Sequence, residues 1–415
     1  VNGATTSATV QAGAAEPSAL RRNAVIALMA FLTLVDLFAT QAILPTLAAH
    51  YRVGAAAMGL AVNASTAGMA VAALIVGLFG SGWSRRLGVA ASLAFLALPT
   101  AALAWAPDLA WFAALRVLQG LAMSTAFALT LSYLAEHCSA HASAAAFAAY
   151  ISGNVASNLF GRLFSAALAE RLGLVGNFEV FALLNAGGAV LAWFALQPGM
   201  AAAPVARAVS PRAAPWSELR HHLARPALRA SFAIGFLILF AFIGIFSYVN
   251  FVLRESPIAL APMSLGFVYF VFLPALVLTP LAGRLAARFG VRRSFGVALA
   301  FALAGLPFLL WPALSAVLLG LVLVGAGTFF AQATATGFVG RNAAGHASSA
   351  SGLYLASYFA GGLAGAAVVG QVFVKAGWPA AVLVVGAALV AALVLSRRLE
   401  EPAASFQPPL EERPS

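Results

Sequence analysis

The chain has 415 residues, of which 62% are hydrophobic and only 8% charged, at a mean hydropathy of +0.95. Soluble domains carry about 25% charged residues, so a water-soluble fold is excluded. Twenty-three bases against twelve acids leave a net charge of +11, which raises nucleic acid as a partner until the bases are placed along the chain.

Residues 1–20 are small and polar without an apolar stretch, so 1–21 reads as a disordered N-terminus and not as a signal peptide. A membrane-crossing helix takes about 20 apolar residues. Stretches of that length follow one another: no charge falls within 53–84, 87–107, 230–253, 256–283 or 376–396. Between Arg293 and Arg341 lie 47 uncharged residues, too many for one crossing, and Trp311-Pro312 supplies the break. Asp36, Arg116 and Arg162 each interrupt a further apolar run. The predicted spans are 23–49, 55–80, 88–106, 109–135, 142–168, 177–197, 228–252, 262–283, 293–310, 313–338, 345–373 and 377–396, which makes an all-α membrane protein of twelve transmembrane helices.

The segment 198–227 holds Arg207, Arg212, Arg220 and Arg225 among Ser, Pro and His, and reads as a linker between a six-helix half at 22–197 and another at 228–396. Residues 397–415 form a polar tail. Lys and Arg accumulate in cytoplasmic loops. With both termini cytoplasmic, 17 bases face the cytoplasm, four (Arg52, Arg171, Arg254, Lys375) face the other side, and Arg116 and Arg162 lie within the bilayer. The positive charge is thus explained by topology and calls for no nucleic acid. The single Cys138 forms no internal disulfide, and no Cys/His spacing suggests a metal or a cofactor.

The halves repeat each other at offsets of 202 to 206 residues: Arg86-Leu87-Gly88 recurs as Arg288-Phe289-Gly290, Trp105 as Trp311, RVLQG (116–120) as LVLVG (321–325), and His141-Ala142-Ser143 with Tyr150 as His346-Ala347-Ser348 with Tyr354. Twelve helices in two repeated halves are the mark of a transporter built from internal repeats.

Over 22–396 this pattern resembles the major facilitator superfamily. The family's loop after the second helix normally reads GxxxDRxGRR; here it reads SGWSRRLGV in one half and GRLAARFGVRR in the other, with Arg85 and Ala287 at the Asp position. The resemblance makes Arg85, Arg86, Gly88, Arg288 and Gly290 gating-loop residues, and the missing Asp implies that the outward-facing state is latched otherwise. The fourth-helix pattern RxxQG is intact at Arg116–Gly120, and DLFATQAILP (36–45) resembles the drug-exporter pattern DxTxxNxALP. SYLAEH (132–137), YISGN with GRLFS (150–165), FSYVNFVL (246–253) and SGLYLASYFAG (351–361) are similar to the bacterial YnfM-like inner-membrane transporters. The Gly-Pro antiporter pattern that many drug exporters carry in the fifth helix is absent.

Asp36 is the one acid deep within a predicted span, about 20 Å from either end by helical rise. A central carboxylate costs about 2.5–3.5 kcal/mol to insert, and protonation removes most of that cost. An acid that is neutral when dry and ionised when wet can carry protons. A static ion pair with Arg116, or a hydrogen bond to Thr33 or Thr40, is the competing reading. Arg116 has no counterpart in the second half, where Leu321 stands, and the resemblance gives it the role of tuning the acid; a brace to carbonyls or Gln119 is the alternative. Tyr150, Asn154, Asn158 and Arg162 recur every fourth residue as one polar stripe, expected to face either a water-filled cavity or a neighbouring helix. Opposite it, Tyr354 and Tyr358 are expected to form an aromatic wall. Gln41, Gln119, Tyr248, Asn250 and Gln332 complete the candidate substrate contacts, with helix-to-helix hydrogen bonds as the alternative for most of them. Asn63 and Glu179 are weaker candidates, Gly361 and Gly365 are expected to serve packing, and His137, His141 and His346 fall at loop edges.

These residues favour a monomeric proton-coupled exporter of an amphipathic or sugar-like compound in the bacterial inner membrane, its partners being the small-molecule substrate, protons and the lipid bilayer. A uniporter or importer of a small organic anion is the second reading, since two buried arginines face one acid. A membrane enzyme or sensor would need a cluster of acids or histidines within the bilayer, and none is visible.

Overall fold

The computed structural model describes residues 17–137, 140–197, 215–343 and 347–399, and among them every regular element is helical. Among the described residues ten apolar helical stretches are long enough to cross a membrane. Two of them, Ala149–Ala195 and Ser348–Ser396, run to 47 and 49 residues. At 1.5 Å per residue each is about 70 Å long, more than twice the hydrocarbon thickness. Each contains a single residue outside helical geometry, Gly173 (φ 71°) and Gly377 (φ 79°). Glycine alone adopts that conformation without a Cβ clash, so each stretch is long enough for two crossings reversing at a glycine, which among the described residues is consistent with twelve crossings.

The first half comprises α1 (Pro17–Ala42), α2 (Leu44–Tyr51), α3 (Ala55–Asn63), α4 (Ser65–Phe79), α5 (Arg85–Ala102), α6 (Leu109–His137) and α7 (Ala140–Ala195). The second comprises α8 (Pro215–Ala224), α9 (Pro226–Arg254), α10 (Pro262–Val268), α11 (Leu273–Leu278), α12 (Ala282–Phe289), α13 (Val291–Gly305), α14 (Leu314–Asn342) and α15 (Ala347–Ser396). Several predicted spans are divided. The first breaks at Ile43, because Pro45 opens α2 and has no N–H to give α1. The eighth, expected over 262–283, is a chain of short helices extending to Phe289, with Pro274 and Pro280 each starting a new turn. The expected linker contains α8, whose His222 ring lies 2.9 Å from the Ser349 hydroxyl at the start of α15. The tail's first residues pack into the fold, with Arg292 donating to the Leu399 carbonyl at 2.8 Å. Residues 1–16, Cys138, Arg207, Arg212, His346 and 400–415 lie outside the described residues, as do the side chains of His137 and His141.

Alternation of the crossings gathers Arg85, Arg86, Arg288 and Arg292 at one end, here called the basic end, and Arg52, Arg171, Arg254 and Lys375 at the other, here called the outer end after the orientation expected from the bases. The lipid-facing perimeter carries exposed side chains such as Val71, Leu98, Leu183, Phe194 and Val277. At the outer end the halves are joined by hydrogen bonds: Asn63 Nδ2 donates to Ser247 Oγ (3.1 Å) and Asn250 Nδ2 to the Gln41 carbonyl (3.1 Å). At the basic end α4 meets α15, where a Cβ placed on Gly77 would stand 2.7 Å from the Gly352 Cα. Neither end is splayed apart at these contacts.

Candidate functional site

Between the halves lies a narrow crevice, too tight in this closed arrangement to hold a small molecule without the helices moving apart. Leu34, Leu37 and Phe38 of α1, Phe127 of α6 and Asn154 of α7 form one wall; Phe242, Phe329, Gln332 and Tyr358 stand in the other. Both walls are mainly apolar, whereas the sequence suggested a polar face opposite an aromatic one. The stripe on α7 diverges: Tyr150 donates to the Phe127 carbonyl at 3.2 Å, Asn154 reaches the crevice, and Asn158 and Arg162 are completely buried beyond it. Among the second-half candidates, Tyr358 lines the crevice while Tyr354 is buried and donates to Gln332 Oε1. Tyr248 is turned away, bonded to the Ala366 carbonyl at 2.5 Å. Gly361 and Gly365 pack against the α9 backbone at Phe236 and Phe240, and Glu179 is exposed.

Asp36 lies behind the crevice, inside the first half. Thr100 Oγ1 is 3.2 Å from its Oδ1, and Gln119 Nε2 is 3.5 Å away. Thr100 also stands 2.7 Å from the Leu96 carbonyl, and one hydroxyl proton cannot serve both acceptors. Asp36 Oδ2 has no hydrogen-bond partner in the protein. Thr33 and Thr40 turn to the Ala30 and Asp36 carbonyls instead of the carboxyl.

Arg116 is held elsewhere. Its Nε donates to the Val62 carbonyl (2.8 Å), Nη1 to Gln119 Oε1 (2.6 Å) and to the Asp36 carbonyl (3.2 Å), and Nη2 to Ser65 Oγ (3.0 Å). The Val62 carbonyl is within reach because the second crossing breaks between α3 and α4. Gly120 lets α6 approach that break, since a Cβ there would collide with the Ser65 carbonyl. The RxxQG pattern is thereby explained locally: Arg and Gln fill the break and Gly admits them.

Arg162 stands in a different setting. Its Nη2 donates to Gln41 Oε1 at 2.5 Å, Nη1 lies 3.4 Å from the Phe246 carbonyl, and Nε has no protein partner. Tyr269 lies 4.5 Å from the guanidinium carbon, with Phe38, Phe272 and Phe246 within 5.8 Å. Gln41 donates to Asn63 Oδ1 (2.7 Å), and Tyr269 to Asn250 Oδ1 (2.5 Å), so Arg162 belongs to the network that closes the outer end.

Of the gating-loop residues, Arg85 Nη1 donates to the Gly80 carbonyl at 2.6 Å, Arg86 lies over the Trp193 ring (4.2 Å), and Arg288 over Phe289 (5.3 Å). Gly88 sits within the first turn of α5 and Gly290 turns the chain at φ 85°. Sequence reasoning passed over Thr100, Asn185 and Tyr269, although the first two were visible as polar residues in otherwise apolar runs. Asn185 Nδ2 donates to Thr100 Oγ1 at 3.2 Å and so belongs to the Asp36 cluster. Among the described residues no group of His, Cys, Asp or Glu could hold a metal ion.

The family model described as Major Facilitator Superfamily matches residues 26–277 and 259–415. An uncharacterized transporter of Buchnera aphidicola is 26% identical over 329 residues, 78% of each chain. The uncharacterized MFS-type transporter YybF of Bacillus subtilis is 26% identical over 338 residues, 80% of this chain and 81% of its own. Among solved structures, a bacterial homolog of the human lysosomal transporter Spinster, inward-facing and unoccupied, aligns with a TM-score of 0.68 at 15% identity, covering 93% of this chain and 95% of that one. That likeness is one of fold.

Proposed function

The chain belongs to the major facilitator superfamily of membrane transporters, and we propose that it exports an amphipathic small molecule across the bacterial inner membrane in exchange for protons, with Asp36 as the proton site. The observation carrying this is the state of the carboxyl: it is fully buried, one oxygen has no protein partner, and the nearby Arg116 gives its donors to carbonyls, Ser65 and Gln119. A buried carboxylate without an ion-pair partner is costly, and a proton is the cheapest way to neutralise it. Helix α1 supplies the link to cargo. It presents Asp36 to α5 and α6, Leu37 and Phe38 to the crevice, and Gln41 to the outer closure. Loading Asp36 and loading the crevice therefore both act on one helix, and they can favour opposite states of it. With 100 mV across the membrane each proton supplies about 2.3 kcal/mol, enough to concentrate a neutral substrate roughly fiftyfold.

Export, both termini in the cytoplasm, a monomeric state and a place near the YnfM-like transporters rest on the sequence resemblances and on the distribution of bases. In this reading Asn154, Tyr358 and Gln332 meet cargo, and Arg85, Arg86 and Arg288 shape the inner gate. A screen for ligands that raise the thermal stability of the purified protein identifies cargo, because a ligand of the folded state stabilises it. Adding that ligand to acidified everted vesicles is expected to discharge the pH gradient through wild type and not through Asp36→Asn. Equal discharge by both proteins would remove Asp36 from the mechanism.

A further inference from the structure

The geometry points to an organic monoanion with a flat apolar body as the transported molecule, its headgroup taken by Arg162; this rests on the transporter reading and names its cargo. Arg162 is fully buried, and the partners around it are neutral oxygens, the Gln41 amide, the Phe246 carbonyl and the Tyr269 hydroxyl, with no carboxylate among them. Its Nε has no protein partner. A guanidinium away from water favours a carboxylate over an amide oxygen, because charge-assisted bonds are the stronger ones and its planar fork can hold two oxygens.

Unmet polar atoms follow α7 from the crevice to the guanidinium. Asn154 Oδ1 at the crevice, then Asn158 Oδ1 and Nδ2 one turn along α7, then Arg162 Nε a further turn along, all lack protein partners. The Phe38 ring is both a crevice wall and a neighbour of the guanidinium at 5.6 Å, so one side chain borders both. Phe38, Phe242 and Phe329 then offer ring faces to a flat body. The crevice lining contains no Lys or Arg, which excludes di- and triphosphates and leaves one negative charge as the match.

The same contact acts on the gate. Arg162 and Gln41 belong to the first half and the Phe246 carbonyl to the second, so the guanidinium helps hold the outer end closed. An anion that takes its donors withdraws it from that closure and frees Gln41.

Equilibrium binding to the purified full-length protein in detergent tests this with three probes of one shape: 2-naphthoate, 2-naphthamide and 2-naphthylmethylamine. Wild type is expected to bind the carboxylate at least ~10-fold more tightly than the amide, with the amine weakest. Arg162→Gln should erase the carboxylate preference while keeping the amide affinity. Gln41→Ala, which removes the competing acceptor and leaves the arginine in place, should tighten carboxylate binding and provides an arm that does not depend on the folding of the Arg162 variant. Equal affinity of wild type for carboxylate and amide, absence of saturable carboxylate binding, or a preference that persists in Arg162→Gln would overturn the assignment. Binding at equilibrium needs no gradient, so a failure of proton coupling leaves these results unchanged and is scored in the vesicle assay alone.

Discussion

Arg116 and Arg162 are both fully buried, but their acceptors differ in number and kind. Arg116 makes four hydrogen bonds that tie α1, α3, α4 and α6 together; Arg162 makes one short bond, one long one, and otherwise touches rings. Their roles in stability should separate accordingly. Arg116→Leu, which copies the second-half residue, leaves the Val62 carbonyl and Ser65 unpaired and is expected to cost about 2–4 kcal/mol. Arg162→Met removes a buried charge with no acid beside it and is expected to leave stability within about 1 kcal/mol of wild type or to raise it. Thermal unfolding of both variants in detergent checks the contrast, and similar losses in both would show that Arg162 braces the fold. Sequence alone marked both arginines, because a charge inside an apolar run stands out whatever surrounds it. It could not tell brace from orphan, since the difference lies in a carbonyl released by a helix break at Asn63–Ser65 and in rings drawn from α1, α9 and the α10–α11 turn.

At the scale of elements, the glycine contact between α4 and α15 takes the place where the family pattern has an acidic residue at the adjoining loop. Gly77 and Gly352 approach so closely that a side chain on either would meet the opposite backbone, and Ser348 donates to the Gly77 carbonyl at 3.4 Å. Backbone contact of this kind closes helices in a membrane through packing and needs no charge pair. Gly352→Val is expected to hold the basic end apart and slow exchange of a bound ligand by about tenfold or more, with Gly352→Ala intermediate; the overlap of a Cβ there with backbone sets that order. Unchanged exchange in both variants would place the gate elsewhere. The number of crossings was legible from the spacing of charges, and the breaks at Trp311-Pro312 and Pro45 follow from proline's missing N–H. The reversals were expected too, since the predicted spans part at 169–176 and 374–376 beside Arg171 and Lys375, but which residue turns the chain was not, because nothing local distinguishes Gly173 or Gly377 from a glycine such as Gly361 that lets two helices touch.

Across the whole molecule, the bases sort the two ends of the bundle. The positive-inside tendency then predicts an orientation with the basic end in the cytoplasm. Single cysteines at 205 and 405, in a chain with Cys138 replaced, are expected to resist an impermeant reagent applied to intact spheroplasts and to react once the membrane is opened; labelling from outside would invert the topology. That orientation gives Asp36 its use, since an inward proton gradient can then drive cargo outward. Net accumulation and passive exchange of the same ligand, measured side by side in proteoliposomes, test the proton site most directly. Wild type should show both, and Asp36→Asn should exchange ligand across the membrane yet fail to accumulate it when a pH gradient is imposed. Accumulation by Asp36→Asn at the wild-type level would contradict proton coupling through Asp36.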